Sequence, residues 1–129
     1  MDRVCHFEIP FSDKVCAQTF YRDVFGWQVS EVPGMPYSFV ITTPVNEKHT
    51  PTDPGGINGG MYERGEEGSK TPVVVIEVPS CQQRVEDVEA AGGSVVLTPR
   101  QVGDMGIYAQ VKDTEDNIVG LWQPLKQAG

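Results

Sequence analysis

Two glutamates occupy matching places in a weak internal repeat. Phe7, Glu8, Ile9 and Pro10 in the first half are echoed by Ile76, Glu77, Val78 and Pro79 in the second. On a strand, successive side chains point to opposite faces. The apolar neighbours Phe7 and Ile9 therefore belong to a core, and Glu8 shares the other face with Val4 and His6. In the second copy Val75 and Glu77 share one face, while Val74, Ile76 and Val78 take the helix side. A carboxyl in a partly dry concave sheet has a raised pKa and can act as a general acid or base. The same carboxyl can instead pair with an arginine or line a wet groove. His6 is open to three roles: a hydrogen-bonded edge histidine, a ligand-contacting or proton-transferring group, or a metal ligand. Glu8 and Glu77 are the candidate catalytic groups; His6, Glu8, Glu77, Tyr108 and Trp122 are the candidate ligand-binding set. Trp122 shares a face with Gly120, whose missing side chain leaves a gap in which the indole forms a flat wall for a planar ligand. Cys5 precedes His6, but adjacent strand residues face apart and are badly placed to share a proton.

Each copy continues into a helix and then into three strands. Cys16, Phe20 and Val24 form one apolar row at helical spacing, with Ala17, Tyr21 and Phe25 beside it, which predicts a helix over about 13–25. Ser12 is placed as its N-cap and Gly26 as the left-handed residue that closes it. In the second half Ser80 and Gln83 form a capping box; Val85, Val88 and Ala91 are the buried face, and Gly92 and Gly93 stop the helix. Strands are expected at 27–32, 37–43 and 57–63, and again at 94–98, 106–112 and 117–123. The fold class is therefore α+β: two βαβββ modules, 1–65 and 70–125, within one domain of 129 residues, with curved mixed sheets around a cavity. The polar loop at 44–56 reads as a lid or a connector, with His49 solvated in it.

The 18 acids outnumber the 10 bases, a net charge of −8. Without clustered Lys and Arg to displace counterions, nucleic acid is excluded as a partner. No apolar run approaches the ~20 residues that cross a bilayer, and the N-terminus lacks a signal-peptide core. A cytoplasmic chain with no membrane partner is expected. Three cysteines, Cys5, Cys16 and Cys81, without CxxC spacing, read as buried or half-buried reduced thiols rather than a disulfide framework or structural zinc site.

The HFEIP run at 6–10, followed by FYRDVFGW at 20–27, resembles the opening of the glyoxalase / bleomycin resistance / extradiol dioxygenase group, the vicinal oxygen chelate superfamily. VEDVEAAGG at 85–93 resembles its second-module helix. GINGG at 56–60 and GLWQP at 120–124 resemble a glyoxalase-like branch. The resemblance spans nearly the whole chain. It implies paired modules enclosing a ligand cavity and a homodimer.

The resemblance also implies where four metal ligands, usually His and Glu, would lie. The first falls on His6. The second falls within 58–63, where Glu63 is the only carboxylate. The third falls on Val73 or Val75 and the fourth on Gly120, none of which can bind a metal. One or two protein ligands do not hold a catalytic ion. No cofactor is therefore expected, and ordinary metal-dependent glyoxalase chemistry is disfavoured. Three functions stay open: a metal-independent binder of a small molecule or an enzyme of that kind; a metal-dependent lyase, isomerase or dioxygenase with a divergent ligand set; and a non-catalytic dimerisation module.

Overall fold

The computed structural model describes residues 1–48 and 50–125, so His49 lies outside the described residues. The chain is α+β, with the order βαβββ written twice. The elements are β1 (Val4–Phe11), α1 (Lys14–Phe25), β2 (Gln28–Glu31), β3 (Tyr37–Ile41), β4 (Gly59–Glu63), β5 (Val73–Glu77), α2 (Cys81–Ala90), β6 (Ser94–Val102), β7 (Gly106–Lys112) and β8 (Ile118–Pro124). They divide into two compact units: residues 6–65 with 70–72, and residues 1–5 and 66–69 with the chain from 73 onward.

In the first unit the strand order is β2-β3-β4-β1. β1 runs parallel to β4, and β4 and β2 are antiparallel to β3. Its core joins Phe11, Val40 and Met61 to Phe7, Ile9, Ala17, Tyr21, Trp27 and Val29. Phe7 and Ile9 thus face α1, as the alternation requires. Burying side chains of this size is worth about 1.5–3 kcal/mol each. The helix uses only part of its apolar stripe. Ala17 and Tyr21 pack inward, whereas Phe20, Val24 and Phe25 stay more than half exposed. A chain of rings links inside to outside: Phe7 contacts Trp27, which stacks on Tyr21 at 4.9 Å, and Tyr21 contacts both Phe20 and Phe25. The N-cap is Asp13, not Ser12: its carboxylate accepts from Cys16 N–H at 3.0 Å, and the helix starts one residue later. Gly26, at φ 72°, closes the helix in the left-handed conformation.

The second unit repeats the topology as β5-β8-β7-β6, with β5 parallel to β8. Its core is Val78, Cys81, Val85, Ala109, Val111 and Leu121, flanked by Ile76 and Val88. Ser80 caps α2 by accepting from Gln83 N–H, but the Gln83 amide turns to Asp87, so the reciprocal half of a capping box is missing. Ala91 and Val74 are exposed rather than buried. Cys81 is completely buried, in keeping with its reading as a buried or half-buried reduced thiol, and burial pushes the thiol up to about 11. β6 continues through Pro99 to Val102, beyond the expected end at 98; it is the last strand of its unit's order, where a missing N–H is tolerated.

No helix among the described residues is long and apolar enough to cross a membrane.

Candidate functional site

The face of the first unit that turns away from α1 carries the polar groups. Strand register fixes which residues share it. Glu8 lies beside Gly60, Gly60 beside Phe39, and Tyr62 beside both Pro10 and Tyr37. His6, Glu8, Tyr37, Phe39, Gly60 and Tyr62 therefore occupy one surface. Glu8 is only 6% exposed, and the three aromatic residues around it are half-buried. Carboxyls are rarely buried this deeply, because desolvating the charge is costly.

His6 Nε2 and the Tyr37 hydroxyl lie 2.8 Å apart, a hydrogen bond between β1 and β3. Burial lowers the His6 pKa to about 4, so the imidazole is neutral at physiological pH. In one tautomer the phenol donates to Nε2; in the other, Nε2–H donates to the phenol.

Two consecutive glycines make this arrangement possible. The ring of Phe7 covers Gly59 on the helix side, and the phenol of Tyr37 covers Gly60 on the other. A Cβ at Gly60 would lie 1.7 Å from the Tyr37 oxygen. A Cβ at Gly59 would lie 2.5 Å from the backbone oxygen of Phe7. The GINGG run is thus a packing requirement on both faces of β4. Asn58 finishes it: its Oδ1 accepts from the N–H groups of Thr42 and Thr43 at 2.7 and 2.9 Å, and its Nδ2 donates to Thr43 O.

In the second unit Glu77 is less committed to a site. It is about one third exposed and forms a 3.7 Å ion pair with Arg3, whose backbone oxygen also accepts from Glu77 N–H. Cys5 lies near this pair; burial raises its pKa, the Glu77 charge adds to the shift and Arg3 opposes it. The gap expected beside Gly120 is filled. A Cβ there would meet Val75 at 3.0 Å and the Tyr108 hydroxyl at 3.2 Å. Trp122 instead lies over Gly106, where a Cβ would come within 2.6 Å of the indole. Gln110, which is 1% exposed, donates to the Tyr108 hydroxyl at 2.7 Å and accepts from Ser69 N–H at 2.9 Å. Residues 68 and 69 thus press onto the sheet face that carries Tyr108 and Gln110.

The residues do not fit a four-ligand metal centre. Glu63 has the register parity of Met61 and Phe7, so it lies on the opposite face from His6. Val75 and Gly120 are register partners on β5 and β8 and offer no donor. Among the described residues no three His, Cys, Asp or Glu side chains gather as a metal site.

Glu8 and His6 were visible in the sequence as face-sharing polar residues. Tyr37 was not, because an aromatic residue on a strand reads as core. The signal that would have exposed it is Gly60, since a glycine in a strand interior often marks close approach by another group.

Residues 3–43 match the Bleomycin resistance protein-like N-terminal family. A mycobacterial protein named "Putative glyoxylase CFP32", from Mycobacterium bovis and Mycobacterium tuberculosis, is 26% identical over 129 aligned positions. The alignment covers 95% of this chain but 46% of the relative, so the chain spans about half the length of the curated relatives it matches. Solved structures with the same fold include a methylmalonyl-CoA epimerase of Streptomyces coelicolor, with 15% identity, 96% and 98% coverage of the two chains and a TM-score of 0.65. The M. tuberculosis methylmalonyl-CoA epimerase has 15% identity, 95% and 87% coverage and a TM-score of 0.62. A glyoxalase/bleomycin resistance protein/dioxygenase superfamily member from Vibrio splendidus has 16% identity, 97% and 100% coverage and a TM-score of 0.60. The βαβββ order written twice is the fold of these solved structures, and over residues 3–43 the chain is similar to bleomycin resistance protein-like N-terminal sequences.

Proposed function

We propose that the chain binds a small organic molecule on the face of the first unit that carries His6, Glu8 and Tyr37, without a four-ligand metal centre. The observation that carries this reading is Glu8, a carboxyl 6% exposed on the sheet face opposite the helix. It lies among half-buried aromatic residues and next to the neutral His6–Tyr37 pair. One carboxyl, one hydrogen-bonded pair and flat apolar surfaces on one sheet face suit a small ligand with a polar end. The acid favours a cationic or hydrogen-bond-donating ligand, and binding alone suffices for a sequestering role of the bleomycin-resistance kind. A homodimer is the working unit that the resemblance to paired-module proteins supports.

A thermal-shift screen of cationic drugs and aromatic metabolites tests the proposal. A stabilising hit is expected, weakened about tenfold or more by Glu8→Gln, a loss of about 1.4 kcal/mol. Glu77→Gln should leave the affinity unchanged. A broad panel without a stabilising compound would count against the binding reading.

A second reading draws on the imidazole and carboxyl sharing one strand face. One solved neighbour is a methylmalonyl-CoA epimerase with methylmalonyl-CoA bound. Proton exchange next to a carbonyl, run by Glu8 with His6, is the corresponding enzymatic proposal. Deuterium uptake into acyl-thioester substrates tests it; no uptake above that of Glu8→Gln would end it.

A further inference from the structure

We infer that Tyr37, seated over Gly60, holds Nε2 of His6, the residue on which the family resemblance puts the first metal ligand, so that His6 works in this chain as half of an imidazole–phenol pair. Three observations converge on it. The Nε2 of His6 is already engaged at 2.8 Å. The phenol reaches it only because position 60 has no side chain; a single Cβ would overlap the Tyr37 oxygen at 1.7 Å and Cζ at 2.0 Å. The β4 residues that share the His6 face, and Asn58 just before the strand, supply no replacement ligand. Gly60 has no side chain, Tyr62 is a phenol, and Asn58 has both ends of its amide tied to residues 42 and 43. Glu63, the one carboxylate on β4, looks to the other side.

An ion seeking Nε2 would have to break the hydrogen bond and displace a ring packed against the glycine. It would then find Glu8 as the only carboxyl among the strand residues of this face. Two protein ligands are too few for a catalytic site. The glycine and the tyrosine therefore act together: one vacates the space and the other fills it with a hydrogen-bonding oxygen. On the binding reading above, with which this inference shares a site, a ligand is met by hydrogen-bonding groups and not by an open coordination position.

The test needs no ligand, so its outcome is separable from that of the binding screen. The chain has two histidines, His6 and His49. With imidazole nitrogens labelled by 15N, His6 and His49 give separately assignable signals, His49 serving as reference. The His6 Nε2 signal is expected at a hydrogen-bonded position, unmoved by one equivalent of zinc or cobalt(II). Tyr37→Phe should shift the His6 Nε2 signal while sparing His49. Gly60→Ala, which expels the phenol, should reproduce that shift; should this variant not fold, Tyr37→Phe carries the test alone. Chelator-reversible, saturable movement or paramagnetic broadening of His6 by one equivalent of metal in the wild type would overturn the inference. So would a His6 Nε2 signal indifferent to Tyr37→Phe.

Discussion

Ser69 and Gln110, far apart in sequence, are joined by a 2.9 Å hydrogen bond from the Ser69 backbone N–H to the Gln110 side-chain oxygen, with both residues 1% exposed. The bond holds residue 69, in the connector between the two repeats, onto the strands of the second unit. Gly68, at φ 80°, lets the chain turn there, and a Cβ on it would be 3.3 Å from the same oxygen. Gln110→Ala would remove the partner of a buried N–H and leave a void. A loss of about 2–4 kcal/mol is expected, read from the urea midpoint.

The pH dependence of stability follows from His6. Its folded pKa is depressed to about 4, below the ordinary 6.5, so the unfolded chain binds the proton more readily. The stabilisation is complete above pH 6.5 and is lost as pH falls from 6.5 towards 4. A loss on the order of 2 kcal/mol across that window is expected from this group. His6→Gln, compared with wild type by melting temperature at pH 7.5 and 4.5, should show a shallower acid decline. An identical decline would assign the acid sensitivity elsewhere.

Glycine substitutions separate conformational from steric demand. Gly26 has φ 72° but open space around it, so Gly26→Ala should cost only about 1–2 kcal/mol, and Gly26→Asn less. Gly59 has no such φ but meets backbone and a core ring. Gly59→Ala should therefore be the more damaging change by chemical denaturation, at about 2–3 kcal/mol or beyond.

Glu77→Gln should change stability by less than about 0.5 kcal/mol. Its ion pair with Arg3 is long, at 3.7 Å, and well exposed, with the two side chains 36% and 74% accessible. A larger loss in denaturant titration would reveal a role that the geometry does not give it.

Tyr21→Ala should cost about 3–5 kcal/mol, since its ring stacks on Trp27 and packs against the core of its unit. Phe20→Ser, at the exposed end of the same ring chain, should cost far less. Equal losses in thermal unfolding would contradict the observed packing.

The repeat and the strand alternation carried most of the fold. Alternation placed Phe7 and Ile9 towards α1 and left Glu8 on the other face, because a period of two leaves a half-buried strand no third choice. Caps and edges were harder to read. Ser12 and Asp13 are both good caps, and only the backbone path chooses between them. The expected end of β6 at 98 fell short, because the edge position that lets Pro99 sit inside a strand is not written in the local pattern. At the candidate site, residue types were legible but partners were not. The Arg3–Glu77 pair, the Tyr108 hydroxyl beside Gly120 and the His6–Tyr37 bond all join residues that come together only through register. The apolar row Cys16, Phe20 and Val24 misled for a related reason: periodicity shows which residues share a helix face, not how much sheet lies beneath it.

Asn58 grips both Thr42 and Thr43, and the Thr42 hydroxyl donates to Ile57 O at 2.6 Å, so the excursion at 44–56 leaves and rejoins the sheet at one clamp. Within it, Thr52 N–H returns to Pro44 O at 2.9 Å and Asn46 N–H to Thr50 O at 2.9 Å, a self-contained knot beyond the clamp. Lengthening such an excursion adds little closure entropy, about 0.6 kcal/mol per doubling. Its tip is therefore the natural place to graft an epitope or a fluorescent reporter: the clamp absorbs the change before it reaches β3 or β4, leaving the tyrosine and the glycine on those strands where they are.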